Sequence, residues 1–246
     1  MRRITRPDLP KATATQLAKE QEAADKKRHE GTLVPDAYWK LARQRNTIKQ
    51  DVLSALQAMA GSRERCMYCS DSHGTDIEHF WPKATYPEKM FLWNNLLLCC
   101  TPCNRDKIQL FPIANGAPLL VDPTTDDPWD FLDFDPRTGN IVPRFSREKN
   151  DWDPKGDQTV RILHLDKREA LSAGYRKTYR RLISVIETFL NRSDDEEQFL
   201  KDLSDADDHG LLGWFLRGQG QTDASICRLN DRFPNVLVKC KARLTS

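Results

Sequence analysis

The segment between residues 66 and 107 holds residues of two chemical types at informative spacings. Two Cys-x-x-Cys pairs, Cys66 with Cys69 and Cys100 with Cys103, mark its ends. Each short turn can aim two thiolates at one point, and four thiolates form the usual tetrahedral site of a structural Zn²⁺. The sequence therefore predicts a four-cysteine zinc site that pins both ends of the segment.

A fifth cysteine, Cys99, competes with Cys100 for the last position in this site. We assign the position to Cys100, because only Cys100 forms a Cys-x-x-Cys pair with Cys103. Cys99 is then expected in the core as a small apolar side chain. Cys227 and Cys240 stand singly in helical patterns and are predicted to be buried thiols. A redox pair or a chance pattern is the alternative explanation of the four paired cysteines.

Polar residues between the two pairs have the types that phosphodiester hydrolysis requires. His79 titrates in the range of a general base, and Glu78 beside it is a hard oxygen ligand for a divalent cation. Asn104 can supply a second oxygen, and Asn95 can hydrogen-bond backbone or imidazole to fix His79. Neighbours on a strand point to opposite faces, so a bend near Pro82 is expected to bring Glu78 and His79 together.

This order of residues resembles the HNH endonuclease family, whose core is the ββα-metal motif. The resemblance implies that Glu78 ligates a catalytic Mg²⁺ or Mn²⁺ and that His79 is the general base. It also implies that Asn95 orients the histidine and that Asn104 completes the metal site. Asn95 is preferred over Asn94 because the family has Asn-Leu at this point. Glutamate at position 78 departs from the family, in which aspartate or histidine is commoner, and its side chain is longer than that of aspartate.

Motifs between residues 66 and 123 narrow the resemblance. They are Cys-x-Tyr-Cys, Ile-Glu-His-Phe-x-Pro-Lys, Trp-x-Asn-Leu, Cys-x-x-Cys-Asn-x-x-Lys, Phe-Pro and Leu-x-Asp-Pro. Together they are similar to the HNH nuclease subunit of Septu anti-phage defence systems and to retron-associated HNH endonucleases. This resemblance implies a DNA-hydrolysing effector that works beside an ABC/SMC-type ATPase subunit.

Two groups of basic side chains have positions that suit contacts with a DNA backbone. The first lies beside the polar cluster and comprises Lys83, Arg105 and Lys107. The second lies at helical spacing and comprises Arg176, Lys177, Arg180 and Arg181. For both groups an ordinary solvated surface is the alternative. For the second group it is the default, and a contact with DNA or with a partner is the more specific interpretation.

The composition predicts a globular protein without a membrane segment. Charged residues make up 30% of the 246 residues, and the net charge is only +2. No run of 18 apolar residues is present and no apolar stretch follows the basic start, so neither a transmembrane helix nor a secretory signal is expected. A cytoplasmic location with reduced cysteines follows as an expectation.

The expected fold class is α+β and mostly helical, with a small zinc-stapled ββα core between helical flanks. The expected regions are a helical arm at 1–62 that can dock a partner, a nuclease core at 63–125, and a hairpin with further helices at 126–246. In the core we predict a strand at 77–81, a second strand at 96–99 and a helix after them, with Thr101 as its N-cap.

Outside the core, periodicity predicts helices at 13–30, 37–60, 157–164, 167–191, 194–203, 206–216 and 223–244, and a hairpin at 131–143.

Two other functions remain open from the sequence. The chain can be a zinc-binding nucleic-acid or adaptor module without catalysis, or a free-standing HNH restriction nuclease. Helical flanks on both sides favour docking to a partner, since no separate DNA-reading domain is evident in the sequence.

Overall fold

The computed structural model describes residues 1–192 and 195–244 of the chain. Helices make up most of it, and the strands form small antiparallel pairs, which confirms the predicted α+β, mostly helical class. The chain contains two compact units. The first comprises Ile4–Met67 and Ser72–Phe111, and the second comprises Met1–Arg3, Tyr68–Asp71 and Pro112–Ser246. Within the described ranges, no helix combines the length and apolar character needed to cross a membrane.

Three helical segments begin the first unit. They are α1 (Lys11–His29), α2 (Pro35–Ala42) and a π-helical turn at Thr47–Val52 that continues into α3 (Leu53–Ala60). Pro35 starts α2, where its missing N–H has no intrahelical partner to lose. The sequence predicted one helix at 37–60, but the structure has two helical segments with an interruption after Ala42. The second segment ends at Ala60, and the next residue, Gly61, has the φ of 84° that suits its predicted C-terminal position.

A strand–strand–helix core follows in the order that the sequence predicts. Strand β1 (Asp76–His79) pairs antiparallel with β2 (Leu96–Cys99), so that Glu78 faces Leu97 across the ladder. Helix α4 (Thr101–Lys107) comes directly after β2. The predicted N-cap was wrong by one residue: Cys100 occupies that position, and the Thr101 hydroxyl instead donates to Asp76 Oδ2 at 3.3 Å.

The second unit begins with three short strand pairs. These are β3 (Ile113–Ala114) with β4 (Ala117–Pro118), β5 (Leu132–Phe134) with β6 (Ile141–Pro143), and β7 (Phe145–Ser146) with β8 (Asp151–Trp152). The middle pair confirms the predicted hairpin, with Phe134 opposite Ile141.

Six helices complete the second unit within the described residues. They are α5 (Pro154–Leu163), α6 (Glu169–Arg192), α7 (Glu196–Ala206), α8 (Leu211–Leu216), α9 (Ala224–Arg232) and α10 (Pro234–Leu244). The helix predicted at 223–244 is two helices, because Pro234 starts a new one after Phe233. The predicted start at residue 194 lies outside the described residues.

Candidate functional site

The four paired cysteines form one buried cluster. Cys66, Cys69, Cys100 and Cys103 are each at most 2% exposed. Their sulfurs all lie within 4.8 Å of one another. A tetrahedral Zn²⁺ with Zn–S bonds of about 2.3 Å requires sulfurs about 3.8 Å apart, so a small contraction would complete the site. The cluster can therefore bind a metal such as zinc, as predicted.

Backbone hydrogen bonds hold the first cysteine pair against the β-hairpin. The Met67 amide donates to the Leu98 carbonyl at 2.9 Å, and the Thr75 amide donates to the Cys99 carbonyl at 3.0 Å. These bonds extend the β1–β2 ladder toward the cysteines. The short strands thus gain order from both the ladder and the cluster beside it.

Cys99 lies next to the cluster without being one of its four members. Its Sγ is 3.9 Å from Cys66 Sγ and 3.4 Å from the Cys100 carbonyl oxygen. Burial raises the pKa of the Cys99 thiol well above its usual value. This placement agrees with the predicted choice of Cys100 over Cys99. Cys240 is buried as predicted, whereas Cys227 is exposed, because its position on α9 faces away from the core.

His79 ends β1 and is held in one orientation. Its Nε2 lies 3.0 Å from the Met90 carbonyl oxygen, and its ring packs edge-on against Trp39 with centroids 4.4 Å apart. A carbonyl oxygen can only accept, so the proton belongs on Nε2 and the lone pair on Nδ1. The residue as a whole is 4% exposed.

The environment of His79 favours the neutral imidazole. Burial lowers the pKa of His79 to about 3, and the positive charges of Lys83 and Lys107 act in the same direction. A buried ring without a carboxylate partner has little to stabilise a positive charge. His79 is therefore neutral at ordinary pH with a lone pair on Nδ1, and its burial makes it a weaker base than a solvated imidazole.

Glu78 is buried in an ion pair with Lys107. The Lys107 ammonium lies 2.7 Å from Glu78 Oε1 and 2.9 Å from the His79 carbonyl oxygen. Burial raises the pKa of the Glu78 carboxyl, while the Lys107 charge and its hydrogen bond oppose that shift. Lys107 is fully buried, so it does not lie where the sequence predicted a DNA contact. Its burial follows from the packing of α4 on β1, which a local sequence pattern cannot reveal.

Asn95 fastens the connection between β1 and β2. Its side-chain Oδ1 accepts from the Trp81 amide at 2.7 Å, and Nδ2 donates to the carbonyls of Trp81 and Lys89 at 3.1 and 2.9 Å. The side chain therefore bonds backbone, one of the two roles considered from the sequence. The imidazole lies against the carbonyl of Met90, the residue that follows Lys89, so Asn95 and His79 contact neighbouring carbonyls of the same segment.

Replacing Asn95 with alanine is expected to destabilise the protein by about 2–4 kcal/mol, because three hydrogen bonds disappear and their backbone partners stay poorly solvated. The matched control is Asn94→Ala, since Asn94 is exposed and its loss should change stability by no more than about 0.5 kcal/mol. Urea denaturation of both variants measures the difference. Equal losses of unfolding free energy in the two variants would contradict the anchoring role of Asn95.

Asn104 and Asp76 meet at the start of the hairpin. Asn104 Nδ2 donates to Asp76 Oδ2 at 3.3 Å, the same oxygen that accepts from Thr101. The Asp76 carboxylate is the kind of oxygen ligand that a divalent cation prefers, and we did not select this residue from the sequence. Its position two residues before Glu78 on the strand was the available signal.

One cavity brings the predicted polar residues together. It has a volume of ≈ 360 Å³ and is lined by Asp36, Glu78, His79, Pro82, Lys83, Ala84, Thr101, Asn104, Arg105, Ile108 and Gln109. Asn95 is not in this lining. Glu78 and His79 both reach the cavity, although they are strand neighbours.

Basic side chains stand at the edge of this cavity. Arg105 is exposed, and Lys83 is 25% exposed with its ammonium 2.9 Å from Asp36 Oδ1. Both remain accessible to an anion that enters the cavity. The arrangement as a whole offers a neutral imidazole, oxygen donors and cationic edge groups, which together suit chemistry on a phosphate ester.

The fold and the site define a mostly helical α+β protein with a potential zinc centre in its ββα core. No family model matches the chain. The chain is similar to two proteins named Septu protein PtuB, in agreement with the predicted Septu resemblance. The one from Bacillus thuringiensis is 31% identical over 115 residues, which cover 45% of this chain and 40% of that protein. The one from Bacillus mycoides (strain KBAB4) is 34% identical over 136 residues, which cover 43% of this chain and 44% of that protein. This chain thus spans less than half the length of the curated relatives it matches.

Proposed function

We propose that this chain is a metal-dependent HNH endonuclease that hydrolyses DNA phosphodiester bonds. The observation that carries the proposal is the shared cavity of His79, Glu78 and Asn104 beside a four-cysteine cluster. Similarity to the Septu PtuB proteins supports a further step, that the nuclease is the effector subunit of an anti-phage defence complex.

Two different metal sites suit the residues present. The buried thiols of the cysteine cluster are soft ligands, and they fit a structural Zn²⁺ that orders the core without taking part in the reaction. Glu78 and Asn104 offer hard oxygens to the cavity and fit Mg²⁺ or Mn²⁺. The Lys107 ammonium already engages Glu78 Oε1, so the second carboxylate oxygen is the one expected to hold a cation. Such a cation would supply neutralisation of the phosphate and of the departing oxygen.

Residues of the chain itself carry out proton transfer and hold the substrate. The neutral imidazole of His79 takes a proton from a water molecule at Nδ1, while the Met90 carbonyl keeps the ring in place through Nε2. The activated water attacks the phosphorus in line, and the 3′ oxygen departs. Lys83 and Arg105, at the edge of the cavity, are positioned to hold the flanking phosphates.

The partner in this proposal is an ABC/SMC-type ATPase similar to PtuA. The helical arm at 1–62 is the candidate docking region, the core at 63–125 is the nuclease, and residues 126–246 form the third region of the proposed organisation. A cytoplasmic location, where both DNA and reduced thiols are available, belongs to the same proposal.

Supercoiled plasmid provides the direct test of this function. The purified chain, alone and with a PtuA-like ATPase, is incubated with plasmid at increasing Mg²⁺ or Mn²⁺. We expect conversion to nicked or linear DNA that requires the added cation, since Glu78 and Asn104 supply oxygen ligands only. Cutting by the chain alone, at the same rate with and without the ATPase, would favour a free-standing restriction nuclease.

A second candidate function is a zinc-held binding module without catalysis. The Glu78–Lys107 ion pair favours it, because this carboxylate already has a cationic partner inside the protein. In that case the chain binds DNA or the ATPase, and plasmid stays intact at every cation concentration with or without the ATPase. Such a result would refute the nuclease proposal while leaving the zinc site in place.

A further inference from the structure

The exposed side of α6 carries a group of basic side chains that the proposed chemistry does not use. They are Arg176, Lys177, Arg180 and Arg181, and we call them the α6 basic face. Together with Ala173 and Ser184 they line a depression of ≈ 440 Å³. Among these described residues none is acidic, so the depression presents cationic and small side chains only.

Most of the positive charge on the α6 basic face is not neutralised. Arg181 is the exception, with its guanidinium 2.5 Å from Asp208 Oδ2 and 3.2 Å from the Asp205 carbonyl. For Arg176, Lys177 and Arg180, the part of the chain that the structure describes contains no carboxylate within ion-pair distance. Three cations therefore remain available to an external anion.

Packing holds part of this face in place. The Cγ of Arg176 lies so close to Gly139 that a Cβ there would be 2.5 Å from it. The aliphatic part of Arg176 thus lies against the turn between β5 and β6, which limits the conformations of its guanidinium. On the opposite side of α6, Tyr175 and Leu182 are buried, so the helix is fixed with its basic face outward.

The α6 basic face lies in a part of the sequence whose net charge is negative. Residues 112–246 contain 20 Lys/Arg and 23 Asp/Glu, a net charge of −3. Residues 170–186 contain the four cations of the α6 basic face and no acidic residue, which leaves −7 for the remainder. A polyanion is repelled by most of such a region and attracted by its basic stretches. Residues 232–243 also hold four cations and no acidic residue, but Lys239 and Arg243 there are paired with Glu196 and Glu197.

We propose that the α6 basic face binds the phosphate backbone of a nucleic acid, as a contact additional to those at the cavity of His79. The proposal rests on the proposed function in taking nucleic acid as the ligand. Planar guanidinium groups match phosphate oxygens with two parallel hydrogen bonds, as they also match carboxylates, so the choice of phosphate rests on the spacing of the cations. The three available cations, Arg176, Lys177 and Arg180, lie within about 6 Å of helix axis and suit a ligand with closely spaced charges. Contacts of this kind position the strand and carry no sequence information.

A charge-neutralised variant and a matched control test the proposal. The variant is Arg176→Gln/Lys177→Gln/Arg180→Gln, and the control is Arg137→Gln/Arg147→Gln/Lys149→Gln, which removes the same charge from other exposed positions of the second unit. Binding of a short fluorescein-labelled DNA duplex is followed by anisotropy without added divalent cation, at several salt concentrations. We expect affinity to fall at least about tenfold in the variant and its salt slope to decrease by about 2.7, which is three phosphate contacts at 0.9 each. The control should change affinity by less than about threefold.

The outcomes separate this proposal from the nuclease proposal. Equal losses of DNA affinity in the two triple variants, or a salt slope that the variant leaves unchanged, would overturn the α6 basic face as a phosphate site. An unchanged salt slope is the result expected if the face instead binds an acidic protein partner. If the triple variant fails to fold, Lys177→Gln/Arg180→Gln replaces it, because both side chains are exposed and should show a slope decrease of about 1.8. A third outcome is that the unmodified chain never cuts plasmid, while its affinity for DNA still depends on the α6 basic face. That result would contradict the nuclease proposal and leave the α6 proposal in place.

Discussion

Replacing Cys100 with alanine is expected to abolish metal binding by the cysteine cluster and to unfold the ββα core. Structural zinc sites have apparent binding free energies of about 10–16 kcal/mol, comparable to or larger than the total stability of a domain. The hairpin in this core has only four paired residues on each strand, too few for independent stability. Metal content per chain by mass spectrometry and thermal unfolding by circular dichroism measure the two effects.

The adjacent cysteine provides the matched control for this experiment. Cys99→Ala removes a thiol that is equally buried, but we expect it to keep one metal ion per chain and to lose only about 1 kcal/mol of stability. The opposite result, with metal lost in Cys99→Ala and kept in Cys100→Ala, would show that the ligand was assigned to the wrong neighbour. Metal retained in both variants would mean that the cluster does not require four thiolates.

Replacing His79 with alanine is expected to reduce the plasmid-cutting rate by about 10²–10⁴-fold, the usual contribution of a general base. This corresponds to about 3–5 kcal/mol in the activation free energy. The metal content should remain at one zinc per chain, since His79 is not in the cysteine cluster. Plasmid nicking at saturating Mn²⁺, together with zinc content, separates lost chemistry from lost folding.

His29→Ala is the control for this second experiment. His29 is exposed at the last residue of α1, so its removal should leave the cutting rate within about twofold and stability within about 0.5 kcal/mol. The His79 variant also loses the packing of its ring on Trp39, so its thermal unfolding is recorded beside the rate. A folded His79→Ala protein that cuts at the normal rate would disprove the base assignment.

Local patterns were enough to predict the order of the core. The two cysteine pairs, the apolar run at 96–99 and the helix after it depend on spacing and period, and the structure has β2 and α4 in these places. The choice between Cys99 and Cys100 could be made because a strand alternates its side chains while a Cys-x-x-Cys turn brings its sulfurs together. The roles of Glu78, His79, Asn95 and Asn104 stay predictions until activity is measured.

Contacts between distant parts of the sequence could not be predicted in this way. Lys107 is the last residue of α4. A lysine in the last turn of a helix is normally exposed, and its charge there interacts favourably with the C-terminal end of the helix dipole. The burial of Lys107 depends on Glu78, 29 residues earlier, and on the packing of α4 over β1. The contact of Trp39 with His79 joins residues 40 positions apart in the sequence. Met90 contacts His79 through its backbone carbonyl, and because every residue has one, the residue type gives no signal.

The spacing of the cysteine pairs also bears on the entropy of the unfolded chain. A metal ion that joins Cys66 and Cys69 to Cys100 and Cys103 closes a loop of about 34 residues, as a covalent cross-link would. By the relation used for disulfides, closing such a loop lowers the entropy of the unfolded state by an amount worth about 4 kcal/mol at 25 °C. The short strands of the intervening segment, with four paired residues each, can therefore fold, because the cost of bringing the ends of the segment together is met outside its own core.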